Sequence, residues 1–232
     1  MKLLRRLVDG SSGLLGRIKR NQRITIANGS PVKANLGCGL AIAPGWINID
    51  GSLNALVATF PKWAHGVAYN LTGSRNYYSK EEYICLLGEN RFVHHDLAYG
   101  LPIQDGVVDY LYTSHFLEHL FRRDAEYLLQ ECFRVLKPGG VLRISIPDLE
   151  YAISLYRKGD KEKMLTSFFF VDDDDSYYAR HKYMYDFDMI SDVLNGIGFI
   201  RVSRCEYKNG NTPDIDILDN RPEESVYVEA IR

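Results

Sequence analysis

The segment KANLGCGLAIAPGWINID, residues 33–50, is the most informative part of the sequence. It opens with a short apolar run that predicts a strand, and it then breaks at Gly37 and Gly39. A second strand-like run follows at residues 46–49 and ends in Asp50. Two glycines directly after a strand let the backbone pass close to a ligand, because no Cβ atom blocks the approach. An acidic residue at the end of the next strand can bind both hydroxyls of a ribose. The stretch therefore predicts a pocket for a cofactor that carries a nucleoside.

The glycine pattern narrows the kind of cofactor. A dinucleotide site prefers G-x-G-x-x-G, and Ile42 occupies the position of the third glycine here. A loop with two glycines suits a ligand without a pyrophosphate, such as S-adenosylmethionine, which carries an amino-acid tail at that point. The alternative is a plain glycine turn between two strands.

Length and composition predict an ordinary globular domain. The chain has 232 residues and 25% charged residues, with no apolar run of transmembrane length and no evident signal peptide. The four cysteines are widely scattered, which favours reduced thiols and a cytoplasmic location. They are Cys38, Cys85, Cys132 and Cys205.

Residues 1–30 form a basic N-terminal arm by composition. Residues 1–23 hold seven basic residues against one acidic residue, whereas the remainder holds 21 basic and 29 acidic residues. Such an arm is a candidate contact for a membrane surface or a protein partner, and no nucleic-acid partner is expected. The alternative is a solvated arm, because the glycines and serines of residues 10–13 interrupt any continuous helix.

Residues 31–232 are predicted to form one domain with an insertion at about 51–91. In the insertion, Ser79 and Glu82 have the spacing of a capping box that starts a short helix. The connection after Gly39 is too short for a full crossover helix. Alternating strands and helices with a closing hairpin predict an α/β fold with a mainly parallel sheet. The remaining predicted strands are 23–27, 91–95, 107–113, 141–146, 199–207 and 225–231, and the predicted helices are 122–136, 149–157, 161–170 and 186–197.

Six motifs in this order resemble class I S-adenosylmethionine-dependent methyltransferases. The resemblance implies a Rossmann-like seven-stranded, mainly parallel sheet of order 3-2-1-4-5-7-6, with strand 7 antiparallel and helices on both faces. It also implies S-adenosyl-L-methionine as cofactor. The motifs are NLGCG (35–39), WINID (46–50), HDL (95–97), LPIQDGVVDYLYTSHFLEHL (101–120), LKPGGVLRISIPDLE (136–150) and HKYMYDF (181–187).

The abbreviated loop GCG…PGWINID is similar to a subset of this family that is common in bacterial polysaccharide pathways. This likeness implies O-methylation of a sugar or another small hydroxyl acceptor by direct displacement. The family pattern places two glycines at the methionine part, an aspartate at the ribose, the HDL motif at the adenine and the end of strand 4 at the sulfonium. The cofactor-binding residues implied in this way are Gly37, Cys38, Gly39, Asp50, Gly51, Asp96, Leu97, Ser114 and His115.

An alcohol acceptor must lose a proton, so a base near the methyl group assists the transfer. His115, after the fourth strand, is the first candidate for this base. Asp148, after the fifth strand, is the second candidate catalytic residue, as a group that orients the acceptor or the imidazole. The alternative for Asp148 is a structural role as the N-cap of the following helix. The alternative for His115 is a structural role as a helix-cap or packing residue. His181 and Tyr185 are candidate acceptor-binding residues.

Residues 115–119 spell H-x-x-E-H, a pattern of zinc peptidases. A peptidase would carry it within a helix, whereas here it follows a buried strand. Some methyltransferases bind a divalent metal through a related E-x-x-E-H helix, and the acidic run 172–175 is a further metal candidate or a solvated loop. No metal ligand is assigned from the sequence. Two other functions stay open, namely a non-catalytic scaffold in a glycan-assembly complex and aminopropyl transfer on the same fold.

Overall fold

The computed structural model describes residues 16–26, 31–70, 74–169 and 180–232. These residues form one seven-stranded sheet of order β3-β2-β1-β4-β5-β7-β6. The first five strands run parallel, and β7 runs antiparallel to both β5 and β6. The predicted strand order and the antiparallel last strand are confirmed.

The strands have the following bounds. They are β1 Lys33–Leu36, β2 Ile47–Asp50, β3 Arg91–His94, β4 Val108–Ser114, β5 Leu136–Pro147, β6 Ile200–Cys205 and β7 Ser225–Ile231.

The helices lie around the sheet. They are α1 Leu53–Ala58, α2 Lys62–Ala68, α3 Lys80–Glu89, α4 Arg122–Val135, α5 Leu149–Lys158, α6 Lys161–Met164, α7 Phe187–Ile197 and α8 Ile215–Leu218. Short 3-10 turns cover Ser74–Asn76, Leu97–Tyr99 and Leu117–His119, and a π-helical turn covers Leu165–Phe169.

The main core lies between the sheet and helices α4 and α7. The buried residues of α4 recur at helical spacing, Ala125, Leu128, Leu129, Cys132 and Val135, and so form one apolar face. They share a cluster with buried residues of the central strands. The central strand β5 is buried on both faces from residue 141 onward, as expected where helices cover a parallel sheet.

Helix ends follow the local signals in the sequence. The side chain of Ser79 accepts a hydrogen bond from the Glu82 amide, and Glu82 returns one to the Ser79 amide, so the predicted capping box is confirmed. Asp186 caps α7, and Gly198 ends it in the left-handed region at φ +117°.

Three predicted elements differ from the structure. Residues 22–26 form no strand; the Ile24 amide makes a single hydrogen bond to the Pro102 carbonyl, and the segment packs through its apolar side chains instead. Helix α4 ends at Val135, because residues 136–140 join β5 through a register shift opposite Val108 and Tyr110. The helix predicted at 161–170 is split into α6 and a π-helical turn.

A buried ion cluster fastens the chain between β6 and β7 to the sheet. Arg143, in the middle of β5, is fully buried and contacts Asp219 at 2.6 Å and Glu229 at 3.2 Å. Its remaining N–H groups donate to the backbone carbonyls of Glu206 and Asn209.

Within the described residues, no helix has the length and apolar character needed to cross a bilayer. Most of the basic arm, namely residues 1–15 and 27–30, and the acidic run 172–175 lie outside the described residues.

Candidate active site

The carboxyl ends of β1 and β2 meet at Asp50. Its Oδ2 accepts a hydrogen bond of 2.8 Å from the Gly39 amide, and its Oδ1 accepts one of 2.5 Å from the Ser52 amide. These bonds hold the carboxylate in a fixed orientation, and 8% of the residue stays exposed. The strand register, which pairs Leu36 with Ile49, brings the glycine loop and this carboxylate together.

The two loop glycines have different surroundings. Gly37 has φ +61°, and a Cβ atom there would lie 2.2 Å from the Phe116 ring. Gly39 has φ +51°, and a Cβ atom there would meet no atom within 4 Å. Gly37 therefore permits a close approach to the segment after β4, whereas Gly39 borders open space through which a ligand can pass. No helix follows the loop, as the short connection predicts.

The end of β3 adjoins the end of β2. A Cβ atom on Gly51 would lie 3.6 Å from the Asp96 Cα atom, so the predicted ribose and adenine positions are neighbours. Asp96 accepts a hydrogen bond from the Ala98 amide, and Leu97 is buried in the main core. The described part of the arm lies here too, because a Cβ atom on Gly16 would stand 2.9 Å from Asp96 Oδ2.

Cys38, between the two glycines, is a buried thiol. Burial raises its pKa well above the ordinary value, and the charge of Asp50 acts in the same direction. The side chain therefore stays protonated and does not serve as a nucleophile. In the predicted cofactor loop Cys38 therefore contributes its backbone and not a reactive side chain.

His115 follows Ser114, the last residue of β4, in a backbone conformation that is unusual for a residue with a side chain, φ +48°. Its amide donates to the Ser145 carbonyl at 2.9 Å. Its Nε2 lies 2.9 Å from the hydroxyl of Ser225, and its Nδ1 lies 3.4 Å from Glu118 Oε1. The imidazole is therefore held between a hydroxyl and a carboxylate.

Glu118 is the centre of a group of histidines. Besides His115, its Oε1 faces His119 Nε2 at 3.8 Å and His181 Nε2 at 3.9 Å. Burial acts to raise the pKa of Glu118, but the adjacent His115 and His119 outweigh this effect and leave the pKa below its ordinary value. Burial lowers the pKa of His181, although the Glu118 carboxylate opposes that shift.

Asp148 has structural partners. It caps α5 by accepting a hydrogen bond from the Glu150 amide, and its Oδ2 lies 2.8 Å from Arg204 Nη2. Burial raises the pKa of this carboxyl despite these partners. In the structure the carboxylate beside the His115 imidazole belongs to Glu118 and not to Asp148.

The two predicted acceptor-binding residues are both buried. His181 donates from Nδ1 to the Phe168 carbonyl at 2.6 Å and has a side chain that is 3% exposed. Tyr185 is 2% exposed and packs in the main core. Tyr185 also lines a cavity of about 430 Å³ between α4 and α7, together with Arg122, Tyr183 and Met189.

Two site residues were missed by the sequence reasoning. Glu118 could have been found, because its i+3 spacing from His115 within H-x-x-E-H brings a carboxylate to the imidazole. Ser225 carries no such signal, since it lies 110 residues away from His115.

Two sequence comparisons relate parts of the chain to methyltransferases. A family model described as a methyltransferase domain matches residues 65–144, a range that begins after the glycine loop and ends inside β5. Over 62 residues the chain is 39% identical to a protein of Mycolicibacterium smegmatis named "Probable S-adenosylmethionine-dependent methyltransferase". That match covers 25% of this chain and 23% of the other protein, so it spans about a quarter of each.

Two solved structures resemble the whole fold. A SAM-dependent methyltransferase from Archaeoglobus fulgidus has a TM-score of 0.52 at 17% identity, and the alignment covers 98% of this chain and 94% of that one. A SAM-dependent methyltransferase from Thermotoga maritima also has a TM-score of 0.52, at 16% identity, with 98% and 96% covered. At such identities these structures establish the fold.

The strand order is that of the Rossmann-like methyltransferase fold, and residues 65–144 match the methyltransferase domain family. S-adenosylmethionine is the cofactor that this family and fold imply. The structure fits it at the glycine loop, where open space adjoins Gly39, and at the fixed carboxylate of Asp50.

Proposed function

We propose that this protein transfers a methyl group from S-adenosylmethionine to a hydroxyl group of a sugar or another small acceptor, with His115 as the base. The observation that supports this most directly is the position of the His115 imidazole, between the Ser225 hydroxyl and the Glu118 carboxylate at the end of β4. The next residue, Phe116, packs against Gly37, so the segment after β4 adjoins the glycine loop.

The proposed reaction is a single displacement. The acceptor oxygen forms a bond to the methyl carbon while the carbon–sulfur bond of the cofactor breaks, and S-adenosylhomocysteine leaves. The hydroxyl proton passes to His115 Nε2, which is unprotonated when Nδ1–H faces Glu118. The Glu118 carboxylate then stabilises the imidazolium that forms. In this proposal the Ser225 hydroxyl occupies the place that the acceptor hydroxyl takes during turnover.

Asp50 is assigned to the ribose and Asp96 to the adenine. Each Asp50 oxygen accepts one backbone hydrogen bond and has capacity for a second, from a ribose hydroxyl. Calorimetry with S-adenosylmethionine should show saturable binding that Asp50→Ala weakens at least tenfold. Asp109→Ala is a matched control, because Asp109 also accepts a backbone amide but at the amino-terminal end of β4.

The acceptor class is tested by release of S-adenosylhomocysteine. The panel should contain nucleotide sugars, oligosaccharides, the corresponding deoxy sugars, amines and thiols. We expect S-adenosylhomocysteine to be released with hydroxyl acceptors. We expect no release with the deoxy sugar that lacks the hydroxyl group to be methylated. Release with amines or thiols alone would contradict O-methylation.

Calorimetry and one further assay test the scaffold function and aminopropyl transfer. Absence of cofactor binding would favour the scaffold. Aminopropyl transfer would appear as consumption of decarboxylated S-adenosylmethionine with a polyamine. That reaction needs carboxylates that can bind a polyamine. Two carboxylates of the site have other partners, because Asp148 pairs with Arg204 and Glu118 faces three imidazoles.

A further inference from the structure

Glu118 is a buried carboxylate whose surroundings do not satisfy it. The residue is 1% exposed, and neither carboxylate oxygen makes a hydrogen bond with any described residue. A buried charge that receives no hydrogen bond is costly in a protein interior. The nearest polar atoms are ring nitrogens of His115, His119 and His181, at 3.4, 3.8 and 3.9 Å from Oε1.

Two of these rings have a fixed tautomer. His119 Nδ1 lies 3.3 Å from the Arg180 carbonyl, and His181 Nδ1 lies 2.6 Å from the Phe168 carbonyl. A carbonyl oxygen only accepts, so Nδ1 carries the proton in both rings. In the neutral imidazole Nε2 then has a free lone pair, and both Nε2 atoms lie within 4 Å of the same carboxylate oxygen.

Three electron-pair donors that converge without a hydrogen bond between them call for a cation. We propose that Glu118, His119 and His181 bind one divalent first-row transition-metal ion. The three ligand atoms lie within 4.8 Å of one another. Ligand atoms that share a metal at about 2.0–2.2 Å stand on the order of 3–4 Å apart, which is the spacing from Glu118 to each imidazole.

The donor types define the class of metal. Two imidazole nitrogens and one carboxylate oxygen suit zinc, manganese, iron(II) or cobalt(II), whereas magnesium and calcium prefer oxygen ligands alone. The carbonyls of Arg180 and Phe168 act as the outer partners that usually orient metal-binding histidines. The side chain of His119 is 23% exposed, so an ion can enter from that side.

The third histidine has a different role. His115 Nε2 is engaged with Ser225, and its Nδ1 approaches the same Glu118 oxygen. The metal would therefore lie beside the proposed base, with Glu118 shared between them. The inference depends on the Glu118 cluster alone and does not require methyl transfer.

The test uses the full chain without a histidine tag. The protein is stripped with a chelator, dialysed against zinc or cobalt(II), and its metal content per chain is measured. Cobalt(II) adds a visible absorption band that reports nitrogen and oxygen coordination. We expect one ion per chain in the wild type, and at least tenfold weaker binding in Glu118→Gln and His181→Gln.

His65→Gln is the matched control. His65 is as buried as Glu118, and its Nε2 contacts the Phe60 carbonyl, which lies outside the cluster. It should bind the metal like the wild type. Glu118→Gln keeps the size of the side chain, and a thermal melt of each variant verifies folding. If a variant is unfolded, the wild-type metal content and cobalt spectrum still decide the proposal. It is overturned if the wild type takes up no stoichiometric ion, or if folded Glu118→Gln binds as tightly as the wild type.

The metal readout is separate from catalysis. Calorimetry with S-adenosylmethionine on the metal-free protein tests cofactor binding on its own. A protein that binds the cofactor but no metal would refute the metal site and leave the proposed methyl transfer intact. A protein that binds the metal but no cofactor would support the metal site and refute the proposed methyl transfer.

Discussion

Ser225 Oγ lies 2.9 Å from His115 Nε2, although the two residues are 110 positions apart. The contact arises from the direction of β7. Because β7 is antiparallel to β5, its first residue pairs with Pro147, at the carboxyl end of β5. Ser225 therefore lies at the carboxyl-terminal ends of the parallel strands, where His115 follows the last residue of β4.

His115→Asn should lower kcat and leave the affinity for S-adenosylmethionine unchanged. Asparagine tolerates the positive φ of this position but cannot act as a base. General-base catalysis contributes about 10²–10⁴-fold, so we expect a loss within that range. Steady-state kinetics and calorimetry provide the two measurements, with His65→Gln as the control. Wild-type turnover in His115→Asn would remove this residue as the base.

Gly37→Ala should be more damaging than Gly139→Ala. Both glycines have positive φ, at +61° and +82°, so alanine strains each backbone by about 1–2 kcal/mol. Only Gly37 adds a steric clash, with Phe116, since a Cβ atom on Gly139 would meet nothing within 4 Å. We expect the clash to cost a further ~1–3 kcal/mol of unfolding free energy.

Urea denaturation of both glycine variants measures this difference. Adding Phe116→Ala to Gly37→Ala should recover part of the lost stability, because it removes the side chain that the new methyl group meets. Equal losses in the two single variants would show that the Phe116 contact does not constrain the loop.

Arg143→Met should destabilise the fold by about 3–5 kcal/mol, the usual effect of removing one partner from a buried ion pair. The substitution leaves the carboxylates of Asp219 and Glu229 buried without their cation. Lys137→Met removes a half-exposed pair with Asp109 and should cost less than about 1 kcal/mol. Chemical denaturation compares the two variants, and similar losses would contradict a structural role for the Arg143 cluster.

Glu229 should make the stability sensitive to acid. Burial acts to raise its pKa, but hydrogen bonds from Asn211 and Thr212 and the charge of Arg143 outweigh it and hold the pKa below the ordinary value of 4.5. The folded state thus binds this proton less readily than the unfolded chain. The stabilisation is complete above pH 4.5 and is lost as the pH falls through the folded-state pKa.

Denaturation curves of the wild type and Glu229→Gln across this pH range provide the measurement. The difference in unfolding free energy should be largest near neutral pH and should shrink on acidification below pH 4.5. A difference that stays constant through this range would show that Glu229 does not carry the effect.

The features that depend on neighbours along the chain were predictable from the amino-acid sequence alone. These include the alternation of strands and helices along the chain, the glycine loop, the strand that ends in Asp50, and the caps at Ser79 and Asp148. Each results from backbone conformation, hydrophobic periodicity or a hydrogen bond that spans a few residues, so its signal is present in a short window.

The contacts between distant groups depend on the folded arrangement of the chain. The sheet brings Ser225 to His115, and the amides of Lys182 and Tyr183 bond to the Glu118 carbonyl, which places His181 beside the Glu118 side chain. His181 was predicted to bind the acceptor and was not predicted as a metal ligand. Nothing near His181 in the sequence indicates its contact with Glu118, which lies more than sixty residues away. Such contacts depend on strand order and packing, which no local pattern encodes.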